Sequence, residues 1–206
     1  MASWSLQHLS LAYCFRWSVL DQLLHYTPNL RSLRVHMHSW DPEDYIPSSF
    51  FPTLIKLTIV ASRPSVNFLR FLQTLPNLRY VDANVYNMLI DGHQWQRHIR
   101  AHLPYLQTLH FLMKSDSVDA DQAEQLIDTF RGPFWTKEHH WFVRCFLQHN
   151  SLHVRTVEKS DRFFDPPYAD LFRSTNPHDS LPKACEQLIS IWRPQHTRCS
   201  LPAGAH

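Results

Sequence analysis

Residues 27–35 read Thr27-Pro28-Asn29-Leu30-Arg31-Ser32-Leu33-Arg34-Val35, and their apolar side chains follow the spacing L-x-x-L-x-L behind a proline. The same spacing occurs five times in the first half of the chain. The first anchors of successive blocks lie 24, 24, 24 and 28 residues apart. The five sets of anchors are Leu6/Leu9/Leu11, Leu30/Leu33/Val35, Leu54/Leu57/Ile59, Leu78/Val81/Ala83 and Leu106/Leu109/Phe111.

The repeat predicts the fold class. Prolines stand two residues before four of the first anchors, at positions 28, 52, 76 and 104. A period of about 20 to 29 residues with this spacing is typical of leucine-rich repeats. Apolar residues that alternate with polar ones predict short strands with one buried face. We therefore expect an α/β fold, a leucine-rich-repeat solenoid of short parallel strands with helices on its convex side.

The segments between the blocks have a helical period. We expect a helix from Ser18 to Tyr26, capped by Ser18, and a longer helix from Ser117 to Phe130 that ends at Gly132-Pro133. The second unit, from Trp40 through Pro47, is too rich in proline for a regular helix and is predicted to be a loop. The expected inward side chains are Val19, Leu20, Leu23 and Leu24; Phe68, Leu69 and Leu72 behind a Ser65 cap; Trp95, Ile99 and Leu103 behind an Asp91-Gly92 turn; and Ala120, Ala123, Leu126, Ile127 and Phe130.

Three regions follow from these patterns. Residues 1–114 are the predicted repeats, and residues 115–147 are the predicted C-terminal capping unit with an aromatic strand at Trp141–Phe146. Residues 148–206 lose the period and are expected to form a low-order tail, in which only Leu181–Trp192 has a helical pattern. Because no cap precedes Leu6, we also expect the chain to be part of a longer protein or a shortened variant.

Composition excludes several classes of function. The formal charge is +2 with 18% charged residues, which gives no strong basic surface for nucleic acid. The four cysteines form no C-x-x-C pair, and the three glycines rule out a glycine-rich phosphate loop. Neither a signal peptide nor an apolar stretch of membrane-spanning length is present. We expect a protein of the cytoplasm or nucleus that contacts no membrane and needs no cofactor.

Alternation also predicts which side chains lie on the concave face of the sheet. Stacking of the repeats aligns them in two columns, His8, Ser32, Lys56, Tyr80, Thr108 and Ser10, Arg34, Thr58, Asp82, His110. Tyr80 and Arg34 are the expected energetic anchors, because these residue types are enriched in binding hot spots. The residues predicted to contact a protein partner are His8, Arg34, His36, Lys56, Tyr80, Asp82, Asn84 and His110.

Catalytic and metal sites are weakly indicated. His98 and His102 share one helix face, but no acidic ligand accompanies them and Arg97 is adjacent. We interpret this pair as a solvated helix face and expect no metal site. Serine and cysteine lack a local nucleophile motif, so we expect no enzyme. The alternative is a hydrolase whose site assembles in the tail. Trp135 and Trp141 are predicted to be structural.

The first repeat carries a family resemblance. Leu6-Gln7-His8-Leu9-Ser10-Leu11-Ala12-Tyr13-Cys14 matches L-x-x-L-x-L-x-x-C and resembles the repeats of F-box/leucine-rich-repeat proteins, the substrate-recognition subunits of cullin-RING ubiquitin ligases. Residues 129–135 and 141–145 look like the terminal unit of F-box-like repeat proteins. The later repeats depart from the pattern, since His38, Ser62, Tyr86 and Lys114 stand where Cys14 does.

The resemblance implies a role as well as a fold. It implies substrate recognition by the repeats, and a ligase adaptor as partner only if an F-box lies upstream, since these residues contain none. A free-standing leucine-rich-repeat inhibitor or scaffold is the alternative among binding proteins.

Overall fold

A computed structural model of the chain describes residues 6–14, 16–38, 49–62, 67–148, 150–157, 169, 171–177 and 179. Within these residues the chain forms a mixed α/β fold with one eight-stranded sheet. The strands are β1 (His8–Cys14), β2 (Ser32–Met37), β3 (Lys56–Ala61), β4 (Tyr80–Tyr86), β5 (Thr108–Asp116), β6 (Val143–Gln148), β7 (Ser151–Thr156) and β8 (Leu171–Ser174). The helices are α1 (Trp17–Tyr26), α2 (Asn67–Gln73), α3 (Gly92–His102) and α4 (Ala120–Asp128), followed by a short π-helix at Phe134–Glu138.

The five predicted repeats form the first five strands of the sheet. The strand order is β1-β2-β3-β4-β5-β7-β6-β8, and each pair of neighbours from β1 to β5 is parallel, as the repeats predicted. The register pairs Leu33 with Leu57, Leu57 with Val81, and Val81 with Leu109. Equivalent anchors of successive repeats therefore lie side by side.

A backbone hydrogen-bond arrangement recurs with the sequence period. The carbonyl oxygen of Gln7 accepts from the N–H groups of Arg31 and Ser32, at 2.8 and 2.9 Å. The carbonyl oxygens of Arg31, Ile55 and Arg79 each accept two N–H groups from the next repeat in the same way. The last of these contacts spans the 28-residue step, so the longer repeat keeps the strand register.

The turns before β3 and β4 are tied to the preceding turn by side chains. The hydroxyl of Thr53 donates to the Pro28 carbonyl at 2.8 Å, and the Asn77 side-chain amide donates to the Pro52 carbonyl at 2.8 Å. Both prolines lie in turns, and these contacts give their carbonyl groups hydrogen-bond partners. They explain why a polar residue stands between proline and the first anchor in these repeats.

The helices pack on the anchor side of the sheet. Leu57 and Val81 from the strands join Phe68, Trp95 and Ile127 from the helices in one hydrophobic core, and all five are essentially inaccessible to solvent. This packing confirms the inward direction of the predicted anchors.

Anchors of the first repeat are less buried. Leu6 is 41% exposed, and Leu9 and Leu11 are half-buried, whereas their equivalents in the second repeat are 1% exposed. The difference arises because β1 is an edge strand within the described residues.

The C-terminal strands differ from the expected low-order tail. Residues Ser151–Thr156 form β7, which pairs antiparallel with both β5 and β6, and Leu171–Ser174 form β8. Asn150 precedes β7 with φ +60°, a conformation that asparagine tolerates well. The expected boundaries at 114/115 and 147/148 thus fall inside strands β5 and β6 of a continuous sheet.

Two predicted helix starts were wrong. Helix α1 begins at Trp17 after Arg16, and no side chain caps it, so Ser18 lies inside the helix. Helix α4 begins after Asp119, whose carboxylate accepts from the Gln122 N–H in a capping box. Ser117 precedes it with φ +62°, which lies outside the helical region.

Two inward side chains of these helices were also predicted wrongly. Val19 is 50% exposed, because the buried stripe of α1 runs at i, i+3, i+4 and i+7 through Trp17, Leu20, Asp21 and Leu24, and Val19 lies off it. Ala120 is exposed at the first position of α4.

Other helix predictions were confirmed. The Asp91 carboxylate accepts from the Gln94 N–H at 2.7 Å and caps α3, and Trp95, Ile99 and Leu103 are buried. Trp135 and Trp141 are buried as well. The expected Ser65 cap, the 40–47 loop and the 181–192 helix lie outside the described residues.

Candidate functional site

The side chains that alternate with the anchors lie on the sheet face opposite the helices. Strand pairing aligns the two predicted columns, because β1 to β5 keep one register from His8 to Thr108 and from Ser10 to His110. In strands β2 to β5 these side chains are exposed or half-buried while the anchors between them are buried. The face therefore presents a regular array of side chains from successive repeats.

A cleft of about 390 Å³ runs across this face. Most of its lining is polar, with a guanidinium, an imidazole, a carboxylate and an amide within reach of one ligand. Four of the predicted residues, Arg34, His36, Asp82 and Asn84, are brought together there. The full lining is Ser10, Leu11, Ala12, Arg34, Val35, His36, Thr58, Val60, Asp82 and Asn84.

Three more predicted residues form a contact chain beside the cleft. The Lys56 ammonium lies 4.6 Å from the centre of the Tyr80 ring, a cation–π contact. The Tyr80 hydroxyl lies 3.4 Å from Nδ1 of His110, and the two rings meet edge to face at 5.6 Å. Tyr80 is therefore held from both sides, which reduces the rotamer entropy that it would lose on binding. His8 lies apart, on edge strand β1.

Sequence reasoning missed a stack of rings at the carboxyl end of β1 and β2. The ring of Tyr13 stacks with His36 at 5.6 Å and with His38 at 6.0 Å, and the two imidazoles are 5.0 Å apart. The strict alternation in β2, continued two residues beyond His36, would have placed the His38 side chain on the same face. The direction of Tyr13 was not predictable from alternation, because the register of β1 shifts between Leu11 and Cys14 and turns this side chain to the opposite face.

Strands β5 to β8 extend the same face. Phe146 stacks on His153 at 4.6 Å with nearly parallel rings. Arg144 donates two hydrogen bonds to Asp179, at 2.6 and 2.8 Å, and Ser174 donates a third at 2.6 Å. Burial raises the pKa of Asp179, but the hydrogen bonds from Arg144 and Ser174 outweigh it and hold the pKa below its ordinary value. This charge network ties the segment after β8 to β6.

Two candidates for catalysis or metal binding, Cys145 and His98, are buried. Burial raises the pKa of the Cys145 thiol to about 12, so it is not a thiolate at neutral pH. Burial and the neighbouring His102 lower the pKa of His98 to about 4. His98 is only 8% exposed, which contradicts the prediction of a solvated helix face. In the described part of the chain, no group of three or more His, Cys, Asp or Glu is placed to hold a metal ion.

Among the described residues, no helix has the length and apolar character needed to cross a membrane. Comparison of the chain with protein-family models, curated proteins and solved structures found no match.

Proposed function

We propose that this chain is a leucine-rich-repeat module that binds a protein partner on the exposed face of strands β1 to β5 and catalyses no reaction. The observation that carries the proposal is the cleft, in which residues from four successive repeats converge. Function on a repeat fold comes from its surface side chains, because the buried anchors serve packing alone.

The character of the face supports a macromolecular ligand. It combines donors, acceptors and the ring of Tyr80, whose position is held by Lys56 and His110. Tyrosine and arginine supply much of the energy of protein interfaces, and both are present here as Tyr80 and Arg34. The cleft is open to solvent, which suits a polypeptide better than a small substrate that must be shielded from water.

A blocking substitution tests this function. Thr58 lies in the cleft, and Thr58→Trp fills it without disturbing the anchors, while His93→Trp adds the same bulk to the exposed side of α3. Partners recovered with the wild-type chain and each variant are compared by quantitative mass spectrometry, and the leading partner is then purified. We expect the purified partner to bind the wild type and His93→Trp equally and to lose affinity for Thr58→Trp. Equal affinity for all three forms would refute the proposal.

The resemblance to F-box/leucine-rich-repeat proteins supports a more specific proposal about what happens to the bound partner. We propose that the bound protein is a ubiquitylation substrate. The matching Cys14 is buried, and its thiol donates to the Arg16 carbonyl at 3.4 Å. We expect the product of the full gene, but not this chain alone, to co-purify with a cullin-RING adaptor. If neither the product of the full gene nor this chain recovers an adaptor, the ligase proposal is refuted and the free-standing inhibitor or scaffold is favoured.

A further inference from the structure

Building on the proposed protein-binding face, we infer that its β1 to β3 end recognises an acidic peptide segment of the partner. The three strands contain no Asp or Glu. On the exposed face they carry Arg34, Lys56 and the imidazoles of His8 and His36, and His38, directly after β2, stacks on His36. The first carboxylate along the two aligned columns is Asp82, on β4. This end of the face is complementary to negative charge.

Arg34 is the centre of this end. It is exposed, lines the cleft, and lies opposite Ser10 on one side and Thr58 on the other. Within the part of the chain that the structure describes, no carboxylate pairs with it. By contrast, Arg100 is paired with Glu138, and Arg144 with Asp179. The Arg34 guanidinium can thus offer a carboxylate its two parallel N–H donors, the strongest common geometry for that anion.

The spacing of the two permanent cations fits an extended peptide. Lys56 lies on the neighbouring strand and two residues before the position opposite Arg34, so their Cα atoms are roughly 8 Å apart. Carboxylates at alternate positions of an extended chain are roughly 7 Å apart. A segment with Asp or Glu at positions i and i+2 therefore reaches both cations at once, while Tyr13 and Tyr80 flank it with aromatic surface.

Nucleic acid fits this surface less well. A nucleic-acid backbone carries a negative charge at every nucleotide, so it needs a longer row of cations than Arg34 and Lys56 supply. On the next strand, β4, the outward side chains are Tyr80, Asp82, Asn84 and Tyr86, so no cation continues the row from Arg34 and Lys56 toward β5. A short acidic peptide matches the extent of the basic end, and a nucleic acid does not.

Selection from a phage-displayed library of random dodecapeptides on the full chain tests this inference. The selected peptides are synthesised and measured by fluorescence anisotropy at two salt concentrations. We expect enrichment of Asp and Glu, affinity that falls with salt, and loss of affinity when those residues are replaced by Asn and Gln.

Variants locate the contact. We expect affinity to fall about tenfold in Arg34→Glu and to fall in Lys56→Glu, but to stay unchanged in Arg97→Glu, which makes the same charge change on the exposed side of α3. Arg34→Gln, which removes the charge without reversing it, should give an intermediate affinity. Circular dichroism melts of each variant establish that it is folded.

The opposite outcomes separate the two proposals. Neutral or basic peptides that lose binding in Thr58→Trp would overturn the acidic ligand and keep the face as a binding site. Selected peptides that all bind Thr58→Trp as tightly as the wild type would overturn the proposed function itself. Displacement of the acidic peptide by a single-stranded oligonucleotide, at concentrations where an equally charged peptide has no effect, would favour nucleic acid and overturn the inference.

Discussion

Neighbouring residues of one strand have opposite roles in this protein. Leu57 is fully buried and pairs with the anchors on both sides, whereas Thr58 is half-buried and lines the cleft. The two positions differ by one step of a period of two, which reverses the side-chain direction. A single strand therefore carries both the stability of the fold and the proposed binding surface.

Leu57→Asp should unfold the chain, and Thr58→Asp should not. The first change places a charge in the core without a partner and is expected to cost more than about 4 kcal/mol of the free energy of unfolding. The second places the same charge on the exposed face. Circular dichroism melts of both variants check this, and equal destabilisation would contradict the assigned inner and outer faces.

Gly92 is required by a close contact between two helices. A Cβ atom at this position would lie 2.4 Å from the carbonyl oxygen of Thr129, at the end of α4. The Gly92 N–H donates to the Thr129 hydroxyl at 2.7 Å, and this hydrogen bond also holds the Gly92 backbone close to the end of α4. The Gly92 carbonyl accepts from the Trp135 indole at 3.3 Å, so the same backbone also holds the aromatic core.

Gly92→Ala should therefore lower the free energy of unfolding by about 1–3 kcal/mol, because the backbone of Thr129 must move to admit the methyl group. Gly132→Ala is the matched control, since no atom lies within 4 Å of its added Cβ. Chemical denaturation measures both. A larger loss in Gly132→Ala than in Gly92→Ala would contradict the packing of α3 against α4.

Strand β8 depends on a buried ion pair for its position. The side chains of Arg144 and Asp179 are only 12% and 9% exposed, and Ser174 and Asn176 also donate to the carboxylate. Replacement of Asp179 removes the carboxylate that accepts from Arg144, Ser174 and Asn176 in a site largely shielded from solvent, which costs more than the loss of an exposed pair. Residues 171–177 are thus attached to the sheet both by this network and by the pairing of β8 with β6.

Asp179→Asn should release this segment. Breaking a fully buried pair costs about 3–5 kcal/mol. This pair is partly buried, so we expect a smaller loss, which should appear as faster amide hydrogen exchange in residues 171–177. Asp128→Asn is the control, because it breaks the exposed pair between Asp128 and Arg131 and should have little effect. Unchanged exchange in Asp179→Asn would show that strand pairing alone holds β8.

The elements were predictable to different degrees. Strands β1 to β5 followed from the repeat because each is defined by its own residues and by neighbours one period away. The alternation in Ser151–Thr156 was also present in the sequence, with Leu152, Val154 and Thr156 buried. Its insertion between β5 and β6 was not predictable, because antiparallel pairing with β5 joins segments about 40 residues apart that share no period.

At the scale of the molecule, buried histidines connect stability to pH. Burial lowers the pKa of His98 to about 4, and burial also lowers the pKa values of His139 and His153. The unfolded chain, in which histidine has its ordinary pKa of about 6.5, binds more protons below that pH than the folded chain does. Above about pH 6.5 these groups therefore do not reduce the free energy of unfolding. As the pH falls from about 6.5 toward 4 they reduce it progressively, because the unfolded chain takes up the protons.

We therefore expect the melting temperature to fall between about pH 6.5 and pH 4. His98→Leu, which keeps the site neutral, should reduce this fall, while His93→Leu on the exposed side of α3 should leave it unchanged. Melting curves across this pH range, followed by circular dichroism, measure the difference. An equal pH dependence in the wild type and His98→Leu would show that His98 is not the source.

The candidate face shows what sequence alone determined and what required the tertiary structure. The repeat and its alternation placed Arg34, Lys56, Tyr80 and Asp82 on one face, because a period of two sets side-chain direction locally and a period of 24 sets the register. Only the tertiary structure turned Tyr13 outward through a register shift in β1, and only it buried His98. Both depend on packing between segments distant in sequence. It also extended the sheet beyond β5, for the same physical reason.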